Sequence, residues 1–254
     1  MTVLDATPPL TPPWYEVVGA FTPMHAAAVT AFGSMIVWSS VLGLRWRGTR
    51  REAILRITWA GLMLAFLVGV SAYYMFSGDY DPAFAYPLQV CDLLGFVACL
   101  ALLFPVRWFK TLTIFLGLGL GSQAFITPVL KNGPVYLHFW YFWLGHTAIV
   151  GGGLYLIVVE RYRPRASDWG LSLLTLAAYI GVVLPLDIAM GWNYGFVGNV
   201  PRKPDAEPTV IDLLGEWPQR VYMLGLLAAV ATGLIYLAFV VVSIWTRRRH
   251  PTAR

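Results

Sequence analysis

Cys91 and Asp92 stand side by side where an apolar helix is expected to begin, in Pro87-Leu88-Gln89-Val90-Cys91-Asp92-Leu93-Leu94. A carboxylate beside a thiol is costly to keep in hydrocarbon, and intramembrane ionisable residues are functional candidates by default. The chemistry open to this pair is nucleophilic. A thiol in an apolar layer attacks poorly until a base takes its proton, and an adjacent imidazole can do that. His146, in Trp143-Leu144-Gly145-His146-Thr147, is the candidate base. A carboxylate near the imidazole would orient it and stabilise its protonated form, as the third member does in nucleophile triads, and Asp92 or Asp187 could serve. Gln123 or Asn193 could donate to a developing oxyanion, a contribution typically worth ~3 kcal/mol. Thr127 joins Gln123, Asp187 and Asn193 among the polar residues expected to contact a substrate.

These residues need elements to hold them in one layer. Seven runs are apolar and long enough to cross a bilayer, which takes about 20 residues each: His25 to Leu44, Ile54 to Phe76, Pro87 to Phe104, Trp108 to Ile126, Val135 to Val158, Trp169 to Met190 and Val221 to Trp245. The third is the shortest. Counting from the arginine-rich end of each run at about 1.5 Å per residue, Cys91 lies ~20 Å up, His146 ~18 Å and Gln123 ~22 Å. They share one slab with Asp92, whereas His138 falls ~30 Å up by the same count, which favours His146 as partner to the thiol. Asp92 is about 100° around its helix from Cys91, so it reaches a neighbouring helix and does not point with the thiol.

The composition agrees with this architecture. At 58% hydrophobic and 12% charged residues, the 254-residue chain is too apolar for a soluble protein of its length. The expected fold is an all-α integral membrane protein, a bundle of seven transmembrane helices. Residues 1–24 carry five prolines and no Lys or Arg, and read as an extracytoplasmic tail rather than a signal peptide. Residues 25–245 form one membrane domain, and residues 246–254 a basic cytoplasmic tail.

Fourteen of the eighteen Lys and Arg residues fall in alternate loops and the carboxyl-terminal tail, from Arg45 through Arg56, at Arg107 and Lys110, from Arg161 through Arg165, and from Arg247 onward. Only Lys131, Arg202, Lys203 and Arg220 fall on the other side. Cytoplasmic loops hold the excess, so the amino terminus is expected outside and the carboxyl terminus inside. Basic loops beside anionic headgroups account for the net charge of +5 without a nucleic-acid partner.

Other residues have quieter readings. Cys91 and Cys99 are about 12 Å apart along one helix, beyond disulfide reach, and Cys99 among Phe96, Val97, Ala98 and Leu100 reads as a small buried hydrophobe. Gly117, Gly119 and Gly121 read as permitting close helix approach. His25 and His250 read as solvated. No GxSxG elbow, HExxH zinc helix or seventh-span lysine occurs, so no metal and no cofactor is expected.

The ordered motifs resemble the YwaF-like integral membrane proteins, related to the animal transmembrane protein 164 acyltransferases. The resemblance rests on Leu88-x-x-Cys91, the Gly-rich run ending in Thr127-Pro128, the aromatic fifth run with His146, Asn193-Tyr194, and Asp212-Leu213-Leu214-Gly215-x-Trp217-Pro218. It covers about residues 25 to 245. It implies a lipid acyltransferase or acyl hydrolase that works through an acyl-cysteine, with those roles on Cys91 and His146 and with membrane phospholipids or lysophospholipids as partners. A multi-pass protein of a bacterial plasma membrane is the expected setting. Two rivals use the same residues: a transporter or channel with a relay through Asp92, His146 and Asp187, or a membrane sensor or scaffold without chemistry.

Overall fold

The computed structural model describes residue 15 and residues 18–77, 85–200 and 210–249. Among them are seven α-helices and no strand: α1 Pro23–Arg45, α2 Arg50–Phe76, α3 Val90–Leu103, α4 Arg107–Leu112, α5 Leu137–Val158, α6 Ala166–Met190 and α7 Gln219–Arg249. The α4 helix continues as a π-helix over Thr113–Gly121 and a 3-10 turn over Ser122–Phe125. Five of the seven, α1, α2, α5, α6 and α7, are long and apolar enough to cross a membrane. The chain is an all-helical, multi-pass membrane protein.

Local chemistry sets the boundaries. Thr22 caps α1, its hydroxyl accepting the His25 amide at 3.2 Å, and Pro23 sits where its missing N–H is harmless. At the start of α6 the Asp168 carboxylate accepts the Arg165 amide at 2.6 Å. That helix ends on Gly191 with φ 68°, a left-handed conformation that glycine adopts without steric cost.

The α5 helix is the axis of the bundle. Of its membrane window 72% is buried, against 11–22% in the other four long helices, because α1, α2, α3 and the π-helical stretch all pack on it. Small residues allow this. A Cβ at Gly117 or Gly121 would meet Cγ2 of Ile149 on α5 at 3.0 or 2.8 Å, and one at Gly119 would meet Thr232 of α7 at 3.3 Å. The three glycines expected to admit close neighbours do so. Between α1 and α5, Phe32 stacks on Trp143 with centroids 5.6 Å apart.

The arginine-rich end is tied by ion pairs. Arg56 lies 3.0 Å from Glu52 and 3.7 Å from Glu160, Lys110 pairs with Glu160, and Arg107 forms a two-bond fork with Asp168. The Tyr155 hydroxyl donates to Glu52 at 2.8 Å. The clasp links α2, α4, α6 and the end of α5.

Several expectations are revised. The third apolar run starts its helix at Val90 rather than Pro87, because residues 88 and 89 are drawn to neighbouring segments: the Tyr179 hydroxyl donates to the Leu88 carbonyl at 2.7 Å, and the Gln89 side chain accepts the Gly195 amide at 2.8 Å. His25 is buried and not solvated. Its Nδ1 accepts the Phe21 amide at 3.0 Å, a turn made possible by φ 65° at Phe21. The amino-terminal tail is not exposed throughout, since Val18 is fully buried and its amide donates to the Lys131 carbonyl at 2.8 Å. Residues 1–14, 16 and 17, residues 201–209 of the long connection, and residues 250–254, with His250, lie outside the described residues.

Candidate functional site

The start of α3 and one face of α5 border a small cavity lined by Leu67, Cys91, Asp92, Gly95, His138, Tyr141, Phe142, Gly145 and His146. Its floor is a close crossing. A Cβ added at Gly95 would lie 4.0 Å from the Gly145 Cα and 3.2 Å from Leu67, so two glycines let α3 and α5 touch one turn below Cys91. On α5 the lining residues recur at the three- and four-residue spacing of a single helix face.

Cys91 is half-buried and reduced, in the first turn of α3. His146 is buried, and its Nδ1 lies 2.7 Å from the Phe142 carbonyl oxygen one turn back. A carbonyl only accepts, so Nδ1 carries the ring proton and Nε2 keeps its lone pair. No described residue hydrogen-bonds to that Nε2. Asp92 and Tyr141 line the same cavity, and the Tyr141 hydroxyl lies 3.5 Å from that of Ser71. The Phe142 carbonyl, and not a carboxylate, therefore fixes the imidazole. A thiol, an imidazole and a carboxylate thus share one pocket.

Four other candidates lie elsewhere. Gln123 donates to the Thr127 hydroxyl at 3.2 Å, next to Ala124 and Phe125 in the cluster between α1 and α5. Asn193 accepts the Gly198 amide at 3.0 Å and closes a turn. Asp187, on α6, is 1% exposed, and neither carboxylate oxygen has a hydrogen-bond partner among the described residues. None of the four lines the cavity. Cys99 is buried with Leu67, Val70, Tyr141 and Ala148, as a small hydrophobe should be. No group of three or more His, Cys, Asp or Glu residues among those described could hold a metal ion.

Sequence reasoning missed His138 and Tyr141 as members of the site. The signal was available: His138, Tyr141, Phe142, Gly145 and His146 form one stripe at helical spacing. Depth counting discounted His138 by treating the site as a thin slab, and the cavity extends along the helix instead.

A family model described as the TMEM164 family matches residues 20–237. No curated protein and no solved structure matches the chain.

Proposed function

The chain belongs to the TMEM164 family, and on that premise we propose that it is a membrane-embedded lipid acyltransferase or acyl hydrolase that works through an acyl-cysteine. One observation carries this reading: Cys91, Asp92 and His146, from two different helices, line one cavity. In the proposed reaction Nε2 of His146 takes the thiol proton of Cys91 and the sulfur attacks the ester carbonyl of a phospholipid. The acyl group moves to sulfur, and the lysophospholipid leaves with the proton that His146 returns. The same nitrogen then activates an acceptor hydroxyl, of a lysophospholipid in a transferase or of water in a hydrolase. Asp92 is a positioning residue in this scheme, holding Tyr141 across the α3–α5 crossing. Asp187 and Asn193 are proposed to stand toward the lipid headgroup, while Gln123 and Thr127 bind each other and support the fold.

The setting is a bacterial plasma membrane crossed seven times, with α3 and the composite α4 completing the spans, the amino terminus outside and the arginine-rich end in the cytoplasm. The rival relay through Asp92, His146 and Asp187 would require the three to share a path, and Asp187 stands apart from the cavity.

The test is covalent. Purified protein incubated with a phospholipid carrying a labelled acyl chain should acquire label that neutral hydroxylamine removes, and Cys91→Ser should abolish it. Full lipid turnover by Cys91→Ser would place the nucleophile elsewhere.

A further inference from the structure

The tetrahedral intermediate of acyl transfer carries its charge on the former carbonyl oxygen, and a site of this kind needs hydrogen-bond donors aimed at that oxygen. The two side chains expected to supply them, Gln123 and Asn193, are outside the cavity and engaged with Thr127 and Gly198. The first turn of α3 has donors to spare. Resting on the acyl-cysteine reading, we propose that the backbone N–H groups of Val90, Cys91 and Asp92 are the oxyanion-binding element of this site.

The first N–H groups of any helix have no partner one turn back. Most helices quench them with a side chain at the cap or the third position. Here every group that could do so is turned away. Gln89, at the cap, makes no capping bond and holds the Gly195 amide at 2.8 Å instead. Asp92, at the third position, closes no capping box. The Leu88 carbonyl faces the Tyr179 hydroxyl at 2.7 Å. Within the first turn the backbone bonds begin only at Leu93, whose amide donates to the Gln89 carbonyl at 3.1 Å. The three amides before it donate to no described residue.

A second, independent feature points to a reacting group in the same space. His146 is only 7% exposed, lines the cavity and leaves Nε2 without a partner. Cys91 and Asp92, whose amides are among the free ones, line the same cavity as this basic nitrogen. The step balances. The carbon–sulfur bond forms from the thiolate pair, the carbonyl π pair moves to oxygen and is held by the amides, and that pair then re-forms the carbonyl as the bond to the glycerol oxygen breaks. The leaving oxygen takes the proton from His146. The α3 dipole adds to the effect, since its positive end lies at the developing negative charge.

The experiment introduces a competitor for the amides in the full-length protein in lipid nanodiscs, with the rate of Cys91 acylation from a labelled phospholipid as readout. Gln89→Ala removes the bond to Gly195 and supplies no acceptor. Gln89→Ser removes the same bond and places a capping hydroxyl on the amides. The expected result is acylation at least tenfold slower in Gln89→Ser than in Gln89→Ala, although the serine variant unfolds at the higher temperature. A lipid trifluoromethyl ketone, which forms a tetrahedral adduct with a thiol, should bind the serine variant more weakly by a similar factor. If either protein fails to fold, Gln89→Thr against Gln89→Val repeats the comparison. Equal rates and equal adduct affinities in the capped and uncapped variants would overturn the amide assignment alone. Absence of label on the wild-type protein would overturn the acyl-cysteine reading and this inference with it.

Discussion

The Nδ1 of His146 lies 2.7 Å from the carbonyl oxygen of Phe142, one turn earlier on the same helix, so the orientation of the imidazole is set by α5 itself. Because Phe142 also packs against the ring at a centroid distance of 4.2 Å, the imidazole is held without help from a carboxylate.

Loss of the base should therefore be separable from loss of the nucleophile. His146→Ala should slow acylation of Cys91 by roughly 10²–10⁴, the usual contribution of a general base, and added imidazole should recover part of the rate. Cys99→Ser, behind the lining residues Leu67 and Tyr141 and not itself in the lining, should leave the rate unchanged. Single-turnover labelling checks all three.

Tyr141 and Asp92 line one cavity from α5 and α3, and a bond between them, as proposed, should be visible in stability. Tyr141→Phe keeps the ring and removes the donor, with an expected loss of about 1–2 kcal/mol. A double-mutant cycle with Asp92→Asn should give a coupling energy of about 0.5 kcal/mol or more. Additive losses in detergent unfolding would show that the pair does not couple.

The glycine contacts make opposite predictions at two sites. Gly121→Ala would drive a methyl group to 2.8 Å from Ile149 and should destabilise the protein by about 1–3 kcal/mol. Gly33→Ala meets nothing within 4 Å and should be neutral or stabilising by up to about 1 kcal/mol. Thermal unfolding of the two variants side by side measures the difference.

At the arginine-rich end, Arg107→Met would leave the buried Asp168 without its cation. An expected loss of about 1–3 kcal/mol follows for a hydrogen-bonded charged group. The exchange Arg107→Asp with Asp168→Arg should recover part of it if attraction, rather than packing alone, is responsible.

Topology can be read by labelling single introduced cysteines in intact cells. Sites between Gly191 and Arg220 should react with an impermeant reagent and sites after Trp245 should not, as the fourteen-to-four distribution of Lys and Arg requires. The reverse pattern would invert the bundle.

Much of this was legible in the sequence, and for identifiable reasons. Long apolar runs give membrane helices because no unpaired backbone survives in lipid, and glycine spacing marks close approach, as Ile149 against Gly117 and Gly121 bears out. Helical rise alone put Cys91 and His146 at one counted depth, and both line one cavity. Their neighbours depended on helix rotation, which no one-dimensional count supplies. Whether Asp92 meets His146 or Tyr141 turns on a few tens of degrees about α3. The burial of His25 turns on a positive φ at Phe21, a residue that gives no sign of it in the sequence. Gln123 shared the counted depth and still faced another partner.

The shortness of α3 has a consequence for how a lipid would arrive. Fourteen residues rise only about 21 Å, some 9 Å less than the roughly 30 Å of a hydrocarbon core. On the proposed topology, with its carboxyl end at the cytoplasmic face, its first turn would end below the membrane surface and the polar boundary would dip to meet it. Ester groups of a phospholipid sit at that boundary. A lipid sliding within its own leaflet would bring its carbonyl to Cys91 by lateral drift, with the acyl chain still among its neighbours and no need to be lifted into water.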